Sequence, residues 1–503
     1  MEDVAQSDPD QLPDRMLSFQ IFNGTVAGPM ALGARLGRLC VAGRKAIPTP
    51  NHIAITSRGA VPHISQDMMR QHTDIEGVYV ALEDSANFDA SHWSLQVIEK
   101  APRAVPPVYK YASAQRKSFQ GSAAASPLRS FIALQEDAPL MLAPRRIPSV
   151  PCPASNTNAG ISIYTSVGFR TLDSEDYAEA IKLLSPDLVV GMGDLVHNRE
   201  KGPSNKRLEK MGDRTTQWTQ DMVDARNERQ DDRSPALLAP ILPIEPHQQN
   251  IYLSQLEDEW KTHVSGLAIY DSDIIPDLPV SLSALPRFSL DTPSSPHKLL
   301  TEISLGADVF VIPFIGAATD AGIALDFSFP PSLSPEDPPT TSAAPAPLGI
   351  DMWSTQHASD LSPLRPECTC HACQKHTRAY VQHLLQAKEM LGWVLLQIHN
   401  LHVLDTFFSG VRNSLSRGCF EQDRAVFDGV YEAELPEKTG QGPRVRGYHH
   451  KTSGPNAPKA NPSAFRTLND ASEKLEESKA SINLASPATS ATVDPTQFAT
   501  KLE

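Results

Sequence analysis

Apolar residues come in short runs along the middle of this chain, separated by polar stretches of helical period. ISIYTSVG (161–168) is rich in β-formers. DSEDYAEAIKLLSP (173–186) opens on capping residues and sets Tyr177, Ile181 and Leu184 on one face, which predicts a helix. DLVVGMGDL (187–195), ALLAPILPI (236–244), SGLAIYD (265–271), PRFSLD (286–291) and DVFVIPFI (308–315) predict buried strands. Between them, residues 200–229, LEDEWKTHV (256–264) and SPHKLLTEISLGA (295–307) predict helices. Repeated strand–helix units with strands apolar on both faces indicate an α/β parallel architecture. Strand ends carrying Gly or Asp suit a (β/α)8 TIM-like barrel, whose working face lies at the strand C-termini; a doubly wound sheet is the structural competitor.

Upstream, LSFQIFN (17–23) and ARLGRLCV (34–41) are strand-like, and TPNHIAITSRG (49–59) carries turn chemistry ahead of a polar helix. Residues 112–128 and 148–160 are small and polar and predict loops. The segment 329–349 is rich in Pro, Ser, Thr and Ala, and the chain turns polar after Leu435; both compositions predict disorder. The organisation expected is a disordered N-terminus (1–16), a barrel (17–328), a Pro-rich insertion (329–349), a metal-binding segment with the final barrel helices (350–433) and a disordered tail (434–503).

With 503 residues the chain is long enough for a large core. Its net charge of −14 argues against nucleic-acid binding by bulk electrostatics, though not against a local basic face. The acidic start MEDVAQSDPDQLPDRM is neither signal nor transit peptide, and no apolar run approaches a membrane span. A reducing compartment follows, so disulfides are a poor explanation for the cysteines.

Three of the six cysteines crowd into CTCHAC: Cys368, Cys370 and Cys373, with Cys40, Cys152 and Cys419 scattered. Three sulfurs presented by one tight turn suit a tetrahedral zinc site that lacks one ligand. HTRAYVQHLLQAKEMLGWVLLQIHNL (376–401) follows with helical character and an apolar stripe of Tyr380, Leu384, Leu391, Leu395 and Ile398. His371, His376, His383, His399 and His402 are all candidates for the fourth position. His371 lies inside the turn and would strain it, whereas His399 would tie the loop to a distant part of the helical stretch.

C-x-C-x2-C followed by His399, with TRAY, HL, EMLG and IHNL around them, resembles the zinc segment of the tRNA-guanine transglycosylases. Weaker similarity covers residues 17–433, through TPNHIAITSRGAVPHISQDM and LPRFSLDTPSSPHKLLTEISLGADVF. The resemblance implies a (β/α)8 barrel, one structural Zn2+ per subunit, and Cys368, Cys370, Cys373 and His399 as its ligands.

The reacting residues of that family fare worse. Its nucleophilic Asp follows a G-x-D-x-F strand; here Gly306, Asp308 and Phe310 are kept and Val311 stands at the nucleophile position. Valine has no lone pair for a covalent intermediate. Strand alternation sets Asp308 and Phe310 opposite Val309 and Val311. The family's D-S-G-G-F-Q loop is matched only by DSANF from Asp84, without its glycines or glutamine. V-Q-G-G is replaced by Ile241, Leu242, Pro243 and Ile244, and a G-G-L turn by Tyr270, Asp271 and Ser272. Asp194 lies one position away from a base-recognising Asp of the family.

Scaffold and metal motif kept without the nucleophile resemble the family's non-catalytic accessory subunits. That resemblance implies no catalytic residue in this chain. It implies a heterodimer with a catalytic queuine tRNA-ribosyltransferase subunit that exchanges guanine for queuine at wobble position 34 of tRNAs with GUN anticodons. tRNA would then be met through the complex, in the cytoplasm or peripherally on the mitochondrial outer membrane. Lys201, Lys206, Arg207, Lys210 and Arg214 form a run suited to partner or RNA contact, or to a solvated helix face. Two alternatives are an active transglycosylase with a displaced carboxylate (Asp84, Asp308 or Asp320) and a zinc-stabilised RNA-binding scaffold.

Overall fold

The computed structural model describes residues 16–22, 33–85, 126–152, 155–165, 168–196, 203–227, 234–331 and 345–443. All lie in one compact unit, 1–458. Of the segments read as disordered, only Met16, 329–331, 345–349 and 434–443 are among them; the rest lies outside the described residues. The same holds for 112–125 of the loop read at 112–128 and for Lys201.

The buried apolar runs become parallel strands that close on themselves. In chain order the barrel strands are β4 (Asn51–Ile55), β5 (Val78–Ala81), β6 (Leu140–Ala143), β9 (Leu188–Val190), β10 (Ala236–Ile241), β11 (Gly266–Ile269), β12 (Arg287–Ser289) and β13 (Val309–Val311). Every neighbouring pair is parallel, and β13 returns to β4 with Val309 opposite Asn51 and Val311 opposite Ile53. A closed parallel barrel leaves no edge strand and requires a crossover between consecutive strands. The fold is thus the TIM-like barrel, not the doubly wound sheet. One crossover, between β11 and β12, is made of 3-10 turns, Ser272–Asp277 and Val280–Leu282.

Alternation along each strand divides the core in two. Ile53, Tyr79, Met141, Val190, Leu238, Phe288, Val309 and Val311 fill the barrel interior. Val80, Leu142, Val189, Leu267, Ile269 and Phe310 face outward into the layer of surrounding helices. An antiparallel sheet of β1 (Leu17–Phe22), β2 (Leu36–Val41) and β3 (Ile47–Thr49) joins the interior cluster through Leu17, Leu39, Val41 and Ile47. Two elements differ from the sequence expectation. TPNHIAITSRG, read as turn chemistry, supplies β4, because Pro and Asn occupy only its start and Ile53, Ala54 and Ile55 then enter the core layers. The helix expected at 256–264 lies earlier, at Asn250–Asp258.

Two buried acids anchor this frame. Asp308, at the head of β13, accepts from Arg35 Nε at 3.0 Å and from Arg287 N at 2.8 Å, and Arg35 Nη2 grips its second oxygen. Both side chains are buried, so the pair rivets the chain just before β2 to the barrel. Glu302, on the helix Pro296–Leu305, is fully buried and accepts from Ser289 Oγ at 2.6 Å. Burial outweighs that hydrogen bond and the nearby Lys298 and pushes its carboxyl up to about 8.

Asp308→Ala should strand the Arg35 cation and lower unfolding free energy by about 3–5 kcal/mol, read as a lower urea midpoint. Glu302 should give a pH signature. Its folded pKa exceeds its unfolded value near 4.5, so the folded state holds the extra proton between those limits. Its contribution is therefore complete below about pH 4.5 and falls as pH rises towards 8. Glu302→Gln should remove this fall, at most ~1.4 kcal/mol per pH unit, from urea midpoints measured between pH 5 and 8.

Candidate metal centre and barrel mouth

Cys368 and Cys370 lie in the loop before the short helix His371–Lys375, which carries Cys373 in its first turn. Cys370 caps that helix, its Sγ accepting from Cys373 N at 3.4 Å. The next stretch is a pair of helices, Arg378–Gln386 and Met390–Arg417, broken where Lys388 takes a left-handed φ of 57°. The turn brings His399, on the second helix, back over the cysteine loop. The stripe read from sequence is thereby split: Leu384, Leu395 and Ile398 are buried, whereas Tyr380 and Leu391 are exposed.

His399 Nδ1 lies 3.7 Å from Cys368 Sγ, 3.6 Å from Cys370 Sγ and 3.4 Å from Cys373 Sγ. A tetrahedral ion with bonds of ~2.3 Å to sulfur and ~2.0 Å to nitrogen sets these atoms about 3.5 Å apart. His399 Nε2 meets the Leu325 carbonyl at 2.9 Å, so its proton belongs there and the Nδ1 lone pair faces the sulfurs. Asn400 takes the strand edge beside it, accepting from Leu325 N at 2.9 Å and donating to the Ile323 carbonyl at 3.0 Å. The donor set and its spacing fit one metal ion, and all four ligand atoms lie within 4.8 Å of one another. Burial works against charge on His399, but Cys368 and Cys373 outweigh it and hold the imidazole up at about 9. Hydrogen bonds from Cys370 and Cys373 drive Cys368 far below the usual thiol range, while Cys370, opposed by both, is driven far above it.

Of the other candidate histidines, His383 is exposed on the helix Arg378–Gln386 and the remaining three are engaged elsewhere. His371 stacks on His72, His376 on Tyr380, and His402 Nε2 lies 3.2 Å from Thr369 Oγ1.

At the mouth of the barrel, Val311 is wholly buried among interior side chains. The carboxylates weighed as substitutes are all occupied. Asp308 sits at the head of β13, the end opposite the mouth, under Arg35. Asp84, in the short turn Leu82–Ser85 after β5, is 2.8 Å from Arg146 Nη2. Asp320, on the helix Phe314–Ala321, is 2.7 Å from His63 Nε2. Asp194 is fully buried, taking Arg207 Nη1 at 2.7 Å, Arg214 Nη1 at 3.0 Å and Asn156 Nδ2 at 2.6 Å.

This last network corrects the reading of the basic run. Arg207 and Arg214, on the helix Asn205–Asn227, turn inward to Asp194, leaving Lys206 and Lys210 exposed. Sequence periodicity gave no sign of it, because the acceptor is on a different element. Two openings lie at this end. A cleft of ≈ 1160 Å³ is lined by Thr56, Ser57, Asp84, Ile312 and the 435–443 segment. A smaller cavity of ≈ 340 Å³ lies over Tyr79, Arg145, Gly193 and Tyr270. Tyr270, which stands in place of the family's G-G-L turn, is therefore in the pocket wall.

A family model described as queuine tRNA-ribosyltransferase matches residues 31–433. A Schizosaccharomyces pombe protein named queuine tRNA-ribosyltransferase accessory subunit 2 is 33% identical over 421 residues, 83% of this chain and 86% of the relative. Proteins with the same name from Anopheles gambiae and Ixodes scapularis are similar too. The first is 26% identical over 388 residues (74% of this chain, 81% of the relative). The second is 25% identical over 402 residues (75% and 93%). Among the described residues no helix is long and apolar enough to cross a membrane.

Stripping the metal from the Cys368–Cys370–Cys373–His399 set should unfold the segment they tie together, since a closed four-ligand site contributes to folding directly. The purified chain should carry one equivalent of metal by elemental analysis. His399→Ala should abolish it and lower the melting temperature, whereas His402→Ala should leave both unchanged.

Proposed function

The chain belongs to the queuine tRNA-ribosyltransferase family, and from that premise we propose that it is the non-catalytic subunit of a heterodimer. Its partner is a catalytic homologue that exchanges guanine for queuine at the tRNA wobble position, and this chain holds the partner's geometry and helps position the tRNA. The relatives' shared name, accessory subunit 2, supports the reading. The observation that carries it is Val311, buried in the barrel interior where the family's nucleophile is expected from the motif. An alkyl side chain cannot attack the ribose anomeric carbon. The neighbouring carboxylates do not replace it: Asp84 and Asp194 are held by arginines and Asp320 by His63.

The metal in this reading is Zn2+, favoured by three thiolates and one imidazole. When bound it supplies cross-linking and no reaction step, because four protein ligands leave no open position for water or substrate. This chain's own residues do the rest: His399 joins the loop to the long helix, and Asn400 joins that helix to β14 (Ile323–Leu325). Contacts to tRNA are expected with the phosphate backbone, which orient a substrate without reading its sequence. The proposed compartment is the cytoplasm.

Exchange of labelled guanine into tRNA tests the proposal, with the chain alone, its catalytic homologue alone and the two mixed. Activity should require the mixture and should survive Asp84→Ala combined with Asp320→Ala in this chain. Turnover by this chain alone, abolished by either substitution, would falsify the accessory role.

A further inference from the structure

Arg145 follows β6 by two residues, at the strand C-termini where barrels of this kind build binding sites. It is only 8% exposed, yet no carboxylate among the described residues lies within 4.0 Å of it. Among the described residues its side chain makes one hydrogen bond, from Nη2 to Asn156 Oδ1 at 2.9 Å, and its buried Nε has no partner. Asn156 cannot pass on the charge of Asp194, which Arg207 and Arg214 already neutralise. Arg146, next door, differs in having Glu83 and Asp84 as partners. A buried, unpaired guanidinium is costly, and proteins retain one where an anion arrives.

The cation is also presented to a space. The ≈ 340 Å³ cavity is lined by Arg145, Tyr270, Ser149 and Gly193. Tyr79 Oη donates to the Arg145 carbonyl and fixes the backbone that holds it. The Arg145 charge acts on the Tyr270 hydroxyl, opposing the upward push of burial on that group. The one carboxylate on the wall, Asp291, lies 3.7 Å from Lys298 Nζ and accepts from Ser272 N at 3.1 Å. A guanidinium fork with tyrosine and serine hydroxyls beside it matches a tetrahedral oxyanion.

We propose that this cavity is a phosphate-monoester site, with Arg145 as the anchoring cation and Tyr270 as a second donor. It goes beyond the accessory role and needs neither the partner nor base exchange. Such a group could come from a free nucleotide or from the 5′ end of an RNA. The cavity is at the small end of ligand pockets and takes the phosphate with little more than one nucleoside.

Calorimetric titration of the full-length, metal-loaded chain tests this with inorganic phosphate, GMP, guanosine and a 5′-phosphorylated RNA oligonucleotide. Inorganic phosphate and GMP should bind saturably, and guanosine should not. GMP tighter than the oligonucleotide identifies a free nucleotide as the source; the reverse order identifies an RNA end. Arg145→Met should weaken phosphate binding at least tenfold without lowering the melting temperature of the ligand-free chain, because it removes an unpaired charge. Asn156 Oδ1 keeps Ser162 N as its donor in that variant. Tyr270→Phe should weaken binding several-fold and decides the matter if Arg145→Met does not fold. The proposal fails if neither phosphate binds, if guanosine binds as well as GMP, if Tyr270→Phe leaves phosphate affinity unchanged, or if folded Arg145→Met melts lower or binds equally well.

Discussion

Closure of β13 onto β4 is the constraint from which the rest of the structure follows. Once Val309 pairs with Asn51 and Val311 with Ile53, alternation decides every neighbouring side chain. Val311 must point into the barrel. Phe310 must point out, where its ring lies 5.8 Å from that of Phe408 on the long Met390–Arg417 helix. That helix also carries His399 and Asn400, so the strand bearing Val311 also positions the helix that reaches over the cysteine loop.

Much of this was legible in the sequence, for identifiable reasons. Buried parallel strands are apolar on both faces, so β9, β10, β11 and β13 announced themselves as short runs, and Asp173 marked the start of its helix by capping it. The cysteine turn was legible because its spacing is local. The identity of the fourth ligand was not, since the histidines at 371, 376, 383, 399 and 402 differ only in how the chain folds back; the choice came from family resemblance. β4 was obscured by the Pro and Asn at its entrance. The basic run was misleading for a related reason: a helical arginine facing solvent and one reaching into a buried aspartate look alike until Asp194 is placed in space.

In the reading proposed here, the barrel mouth keeps its scaffold without the family's nucleophile. The interior accepts any apolar side chain of fitting volume, so valine at 311 costs the fold nothing. Carboxylates left nearby do not stay free in an apolar surround; they gain arginine or histidine partners, as Asp84, Asp194 and Asp320 have. Arg145 is the exception, a charge without a counter-ion among the described residues, and it lines the smaller cavity.

His399 and Asn400 occupy consecutive positions, one holding the metal loop and the other holding β14. A cell short of the metal would therefore not see a slower subunit. It would see less of it, because a chain whose loop and strand come undone together is open to proteolysis. Abundance, rather than rate, is the quantity through which metal supply would reach tRNA modification by way of this chain.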